Sequence, residues 1–376
     1  SLGEAGATLQ ALLEEASYRE HLLARNLPQP VYIGYGEAGR DGGYLAMRFA
    51  AHEAQRSLAA AAGAAGVPVR INHARGGSTA RGGARLDAIV RAMPPDIVDG
   101  VLHVTEQGET MSQNYGLRSN ALRTLERAFG VLGLVTLARR RGQARPESPA
   151  ARQHAAHLAA RSREQWRQLC VEDPDFQDFF RAATPIDVIE RMQIGSRSIW
   201  EGSGKGALAI RSTPWVFAWS QARFFLPGWY GSGTALGEAI DAGELASMRG
   251  LYRDWPLFQL VINDIEGQLA RTELNIAGRY ADLASTTQRG YMTQLANEYT
   301  RCRDAVLGIK EQAELLDGDA TQQRAIQLRN PYVDPMNLMQ VDLLRRWRAS
   351  AREDEDLFQA LLASVSGIAQ GLQTTG

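Results

Sequence analysis

Three times in the first 110 residues, a short β-branched or aromatic run stops at a polar segment that carries glycine. The runs are PVYIGY (30–35), VPVRINH (67–73) and the head of GVLHVTEQGE (100–109). Stretches rich in good helix formers lie between them, at 43–63 and 84–93. Strands that alternate with helices return by crossover and pair in parallel. In such sheets the functional groups collect beyond the carboxyl ends of the strands. The pattern therefore predicts a helix-rich α/β fold with its site in the segments that follow each run.

Beyond residue 117 the reading is mostly helical. Ser119 is placed to cap a helix that carries Leu122, Leu125, Phe129 and Leu132 on one face and ends at Arg139, Arg140, Arg141 and Gly142. Ser148 and Pro149 read as cap and first turn of the next helix, and Thr184 and Pro185 as another such start. The glycine-rich segment 195–206 reads as a mobile loop. The aromatic-dense segment TPWVFAWSQARFFLPGWYG (213–231) reads as buried. From about residue 236 helices are expected to the end, interrupted by LRNPYVDP (328–335).

Composition narrows the classes. With 376 residues and 44% apolar content, the chain is long enough for a substantial core. A net charge of −1 provides no field to recruit nucleic acid or an anionic membrane. No apolar run reaches the ~18 residues of a membrane-spanning helix, and no signal peptide is visible. Cys170 and Cys302 are too few for a disulfide framework and lack metal-site spacing. A reduced, cytoplasmic globular protein is the expectation.

The motifs lie where the strands end. Gly34, Gly36 and Gly39 form a G-x-G-x-x-G between a strand and a helix. The next strand ends in Asn72 and His73 rather than an acid for a ribose, and Glu37, Arg40 and Asp41 fill the turn with charge. A solvated turn and a catalytic strand end with Glu37 as a metal ligand both stay open. HARGGSTARGG (73–83) is more specific. Glycines bring backbone N–H groups close to a ligand, and guanidinium forks clamp phosphate or carboxylate oxygens. Arg75, Arg81 and the intervening amides, Gly76 and Gly77 among them, are thus a candidate cradle for a small polyanion. His73 is placed to transfer a proton or to donate to the same anion. Glu106 and Glu109 follow the third run, and carboxylates there usually pair with nearby arginines. Arg197 and Arg211 flank the glycine-rich segment.

Taken together, IGYGEAGRDGG, HARGGSTARGG, VTEQGE, FFRAATP, IGSR, TPWVFAWSQARFFLPGWYGSGTAL, LRNPYVDPMNLMQ and the final GIAQGLQTTG resemble the carboxyl-terminal part of phosphoenolpyruvate carboxylase. The resemblance implies part of an eight-stranded (β/α)8 barrel with a large α-helical carboxyl-terminal region. Residues 1–235 would be the barrel-derived catalytic portion and 236–376 the helical region, as one continuous unit. It also implies phosphoenolpyruvate and bicarbonate as substrates, oxaloacetate and phosphate as products, Mg²⁺ or Mn²⁺ as cofactor and a homo-oligomer. Arg75 then matches the arginine that holds phosphate and carboxyphosphate, and His73 its companion. Arg211 and Arg197 match further arginines around the phosphate. Glu37 falls at an aspartate metal ligand, Glu4 at a second ligand, and Arg40 at a lysine of the same turn. Arg81 and Arg329 match the aspartate/malate inhibitor site, in which Arg271 replaces a lysine and Thr374 an asparagine.

Departures accompany these matches. None of the six histidines lies in the Thr-Ala-His-Pro motif whose histidine the family needs for carboxylation. That motif belongs to an amino-terminal half, which also supplies barrel strands. Three readings follow: the carboxyl-terminal portion of a working carboxylase, completed by an amino-terminal-half subunit or segment; a shortened relative with other chemistry on similar small acids; or a non-catalytic regulatory or assembly protein.

Overall fold

The structure, a computed structural model, describes residues 1–26, 28–144, 146–192, 199 and 209–374. Three parallel strands stand side by side in the order β1 (Gln29–Gly34), β2 (Val69–Ala74) and β3 (His103–Thr105). The helix Tyr44–Ala64 connects the first two, and the helix Leu86–Ala92 the second and third. Gly34 pairs with Ala74, and Ala74 with Thr105, so all three carboxyl ends lie in one row. The segments that follow them, starting at Tyr35, Arg75 and Glu106, are therefore neighbours. The parallel alternation is as the sequence predicts, though the third run gives a strand of only three residues. Among the described residues the sheet has these three strands, and neither outer edge carries a further one.

Helix boundaries follow local chemistry with three corrections. Ser148 caps as expected, its hydroxyl accepting the Ala151 amide at 3.4 Å, with Pro149 in the first turn. Ser119 does not cap. The helix Arg118–Arg140 begins one residue after Leu117, whose backbone is extended, so Ser119 is already inside the first turn. This helix ends as the sequence indicates, in Arg139 and Arg140 followed by Gly142 at φ +66°. Its apolar stripe, however, faces outward: Leu122, Leu125 and Phe129 are 54, 55 and 79% exposed. The side that packs on the helix Leu86–Ala92 carries the smaller Ala128, Val131 and Thr136.

Thr184 does not cap either. Its buried hydroxyl donates back to the Phe180 carbonyl at 2.7 Å, closing the preceding helix, and only one turn follows at Ile186–Ile189. The largest difference is at 328–335, where no break occurs. The helix Ala320–Ala349 runs through Pro331 and Pro335. A proline in a helix interior costs about 3 kcal/mol or more, so packing must offset it. The fully buried guanidinium of Arg223 donates to Asp334 at 2.5 Å, Asn330 at 3.1 Å and Asn337 at 3.2 Å. These acceptors lie on one helical face and bridge both prolines.

Residues 213–231 are buried, as their composition suggests. Trp219 is stacked on Phe176 at 5.8 Å and crosses Trp215 edge-on at 5.7 Å, while Phe180 lies 4.4 Å from Trp215. One apolar cluster runs from Leu9 to Val365 and joins the strand region to the helical remainder. The helix Ser212–Gln221 carries much of it and abuts the short helix Gly36–Gly42 after β1. The site is thus mounted on the apolar core.

Candidate functional site

Arg75 is the first residue past β2, and both ends of its guanidinium are held. Nη1 donates to the Ala84 carbonyl at 2.6 Å, closing the loop 75–84. Nη2 pairs with the Glu106 carboxylate at the end of β3, with both side chains at least 95% buried. The strand-end carboxylate is thus paired with an arginine, as the sequence suggests. Inside the loop the Gly76 amide bonds the Arg81 carbonyl and the Gly83 amide the Ser78 carbonyl, each at 2.8 Å. These amides serve the loop's own fold and are not offered to a ligand. Packing also explains the second pair of glycines. Gly82 has φ +86°, and a Cβ there would sit 2.5 Å from the Tyr35 ring; a Cβ on Gly83 would lie 2.2 Å from the Gly77 carbonyl oxygen. Two groups from outside pin the loop: Arg48 reaches the Gly83 carbonyl at 3.2 Å, and Gln268 the Thr79 hydroxyl at 3.0 Å.

His73, two residues before Arg75, is 1% exposed. Its Nδ1 is 2.8 Å from the Tyr35 hydroxyl, and its buried Nε2 has no hydrogen-bond partner among the described residues. Burial, reinforced by the Arg75 and Arg48 charges, lowers its pKa from the usual 6.5 to about 4. The neutral ring is therefore the native form at physiological pH. Because the folded pKa lies below the unfolded one, the stability that His73 contributes is present above pH 6.5 and lost as pH falls towards 4. Denaturant midpoints should fall over that interval, and His73→Asn should flatten the fall. An equally steep fall in the variant would assign it to other groups.

A cavity of about 530 Å³ opens beside Arg75, Gly76 and Gly77. Arg271 and Thr374 line the same cavity, so two of the residues read as an effector site share a space with the anion loop. Arg329, next to them, donates to the Leu372 carbonyl at 3.5 Å. Burial first, then the charges of Arg271 and Arg223, lower its pKa to about 10. Arg81, the fourth, is buried under the loop, where Nη1 meets Gln107 at 3.1 Å. Arg75, Arg85, Arg271 and, from the helix Arg118–Arg140, Arg123 and Arg127 all line the cavity.

The turn after β1 holds Glu37 and Arg40 as a pair, 2.6 Å apart, with Glu37 half-exposed. The Ser212 amide donates to Glu37 at 3.3 Å, and Arg40 reaches the Ile210 carbonyl. Arg211 is the half-buried residue that leads into the helix Ser212–Gln221. Glu4 is exposed, bound by the Ser1 amino group and hydroxyl at 3.1 Å each. Among the described residues Glu37 pairs with Arg40 and Glu4 with the Ser1 amino group. Among the described residues no three His, Cys, Asp or Glu side chains gather where they could hold a metal ion. Arg197 lies outside the described residues, as does the glycine-rich segment apart from Ile199.

Sequence reasoning passed over Tyr35, Arg48, Asp264 and Gln268. Arg48 is buried on the helix Tyr44–Ala64 and pairs with Asp264 at 3.1 Å, which ties the loop to the helix Pro256–Arg271. A charge in the middle of an otherwise apolar helical run was the available signal. Asp264 and Gln268, one turn apart in a distant helix, offered none.

The comparisons agree with one another. A family model described as phosphoenolpyruvate carboxylase matches residues 1–376. A phosphoenolpyruvate carboxylase of Xanthomonas campestris pv. campestris is 43% identical over 98% of this chain and 41% of its own length. That of Rhodothermus marinus is 37% identical, and that of Nocardia farcinica 36%, each over 100% of this chain and 41% of its own. The chain thus spans about two fifths of the length of these curated relatives.

Proposed function

The chain belongs to the phosphoenolpyruvate carboxylase family, and from that premise we propose that it is the carboxyl-terminal portion of an enzyme that converts phosphoenolpyruvate and bicarbonate to oxaloacetate and phosphate. One observation carries the reading: a buried arginine, fixed at both ends of its fork, stands at the carboxyl end of the central strand beside a cavity. A highly charged anionic substrate needs positive charge that is already in place, because such charge stabilises developing anions without reorganisation.

In the proposed chemistry a bicarbonate oxygen attacks the phosphoryl phosphorus, giving carboxyphosphate and the enolate of pyruvate. Carboxyphosphate then loses carbon dioxide, leaving phosphate, and the enolate carbon bonds to the carbon dioxide. Arg75 would hold the phosphoryl oxygens, oriented by Glu106. Neutral His73 sits beside it, and Arg40, Arg211 and Arg197 would supply further charge. The loop's close packing would keep water from the enolate. Mg²⁺ or Mn²⁺ would suit the hard oxygen donors Glu37 and Glu4, and when bound would polarise the enolate oxygen. With Glu37 held by Arg40 and Glu4 by Ser1, the described residues do not make a converging donor set, so no step is routed through the ion.

The two sheet edges that carry no further strand among the described residues and the outward apolar stripe of the helix Arg118–Arg140 support a (β/α)8 barrel completed by an amino-terminal half, with residues 1–235 as its catalytic portion and 236–376 as the helical region. Homo-oligomeric assembly and a cytoplasmic setting follow from the same reading. No helix of the described residues is long and apolar enough to cross a membrane.

Calorimetry tests the cradle. Phosphoenolpyruvate and inorganic phosphate should compete for one site on the chain, and a folded chain that gives no heat with either would overturn the proposal. Aspartate should bind poorly in the same cell. Arginine's fork does not reproduce a lysine's point contact at Arg271, and Thr374 has no amide donors. Micromolar aspartate affinity, lost in Arg329→Ala, would show an intact effector site.

A further inference from the structure

The proposed chemistry makes no use of the contact between Tyr35 and His73. Tyr35 follows β1 and His73 is the fifth residue of β2, with Ile33 as its register partner, so the sheet itself brings the two rings together. They lie 6.1 Å apart and 27° from parallel, with the Tyr35 hydroxyl 2.8 Å from His73 Nδ1. Both residues are at least 96% buried. Among the described residues that hydroxyl has no other hydrogen-bond partner. Its ring is clamped from two sides, by Gly82 and by the Arg48 guanidinium 5.6 Å from the ring centre.

Proton placement follows from this geometry. A phenol O–H is a better donor than its oxygen is an acceptor, and the unprotonated nitrogen of a neutral imidazole is a strong acceptor. If the hydroxyl only accepted from Nδ1, its own proton would be buried without a partner, which is costly. The hydroxyl therefore donates to Nδ1, and the ring proton sits on Nε2, the atom that has no protein partner. We infer that Tyr35 is a positioning residue that fixes His73 as its Nε2–H tautomer, making it a hydrogen-bond donor to the bound anion rather than a base. Burial beside Arg75 and Arg48 works in the same direction, since it keeps the ring neutral. The inference rests on the cradle reading only for the identity of the acceptor. The tautomer itself depends on Tyr35 alone. It also gives the second Arg-Gly-Gly unit a purpose: Gly82 leaves the space that the Tyr35 ring fills.

Nitrogen NMR of histidine-labelled protein tests it, with the His73 signals identified by their loss in His73→Asn. The wild-type chain should show an unprotonated Nδ1 and a protonated Nε2, and inorganic phosphate should shift Nε2. In Tyr35→Phe the two nitrogens should move towards averaged values as the tautomers mix, and phosphate affinity should fall three- to tenfold, the worth of one neutral hydrogen bond. A protonated Nδ1 in the wild type overturns the proposal, as does an unchanged tautomer in a folded Tyr35→Phe. If that variant does not fold, the wild-type spectrum still decides. Failure of phosphate to bind the wild-type chain would count against the cradle, while the tautomer would stand or fall on the spectrum without ligand.

Discussion

Arg75→Ala is expected to destabilise the chain by about 3–5 kcal/mol and to remove its measurable affinity for phosphoenolpyruvate. The stability loss follows from Glu106, which would be left buried without its counter-charge, and breaking a buried ion pair from one side carries a cost of that size. The affinity loss follows from the anion contact itself, since a charge-assisted hydrogen bond contributes about 1.5–3 kcal/mol. The two effects separate in a double variant. Arg75→Met with Glu106→Gln removes both charges and keeps similar volumes, so most of the stability should return while binding stays absent. Arg139→Ala is the control: Arg139 is 38% exposed and only 3.6 Å from the exposed Asp99, a pair worth about 0–1 kcal/mol, and it should bind as the wild type does. Urea titration and calorimetry on the same preparations read both quantities. A double variant that still binds phosphoenolpyruvate would show that Arg75 serves the fold and not the ligand.

What the sequence made legible was local. The alternation of 30–35, 67–73 and 100–109 with helix formers was enough for parallel pairing, because periodicity and crossover length are near-neighbour properties. Arg75 and His73 stood out for the same reason, since a charged group at a strand end next to glycines is visible along the chain. Glycine itself misled. It suggested amides bared to a ligand between Arg75 and Arg81, whereas the Gly76 amide is taken by the Arg81 carbonyl, and the glycines after Arg81 make room for Tyr35 and Gly77, contacts that only folding creates. The unbroken helix through Pro331 and Pro335 was hidden likewise, because the Arg223 that bridges the prolines lies more than 100 residues earlier. Of the face read as Leu122, Leu125, Phe129 and Leu132, the first three are exposed and Leu132 is half-buried. Periodicity marks a face, but not what lies against it.

The second large effect concerns turnover. The chain alone is expected to form no oxaloacetate, although it binds the substrate. Its sheet has two edges with no neighbouring strand among the described residues, and unpaired edges and exposed leucines are surfaces that ask for a partner. The chemistry points the same way. On the family reading, carbon dioxide capture needs a histidine from the Thr-Ala-His-Pro motif, and His73 is committed to Tyr35 through Nδ1. Without that group the enolate should be lost to protonation, so any phosphate released would be matched by pyruvate. Placing residues 1–376 in the corresponding two fifths of the Xanthomonas campestris relative restores the remainder, and that chimera should make oxaloacetate at an ordinary rate of ~1–10³ per second. The deciding measurement is a coupled assay on both proteins, with malate dehydrogenase reading oxaloacetate and lactate dehydrogenase reading pyruvate. The account predicts oxaloacetate from the chimera and none from the chain. Oxaloacetate from the chain alone at that rate would contradict it, as would a folded chimera that binds phosphoenolpyruvate and makes none.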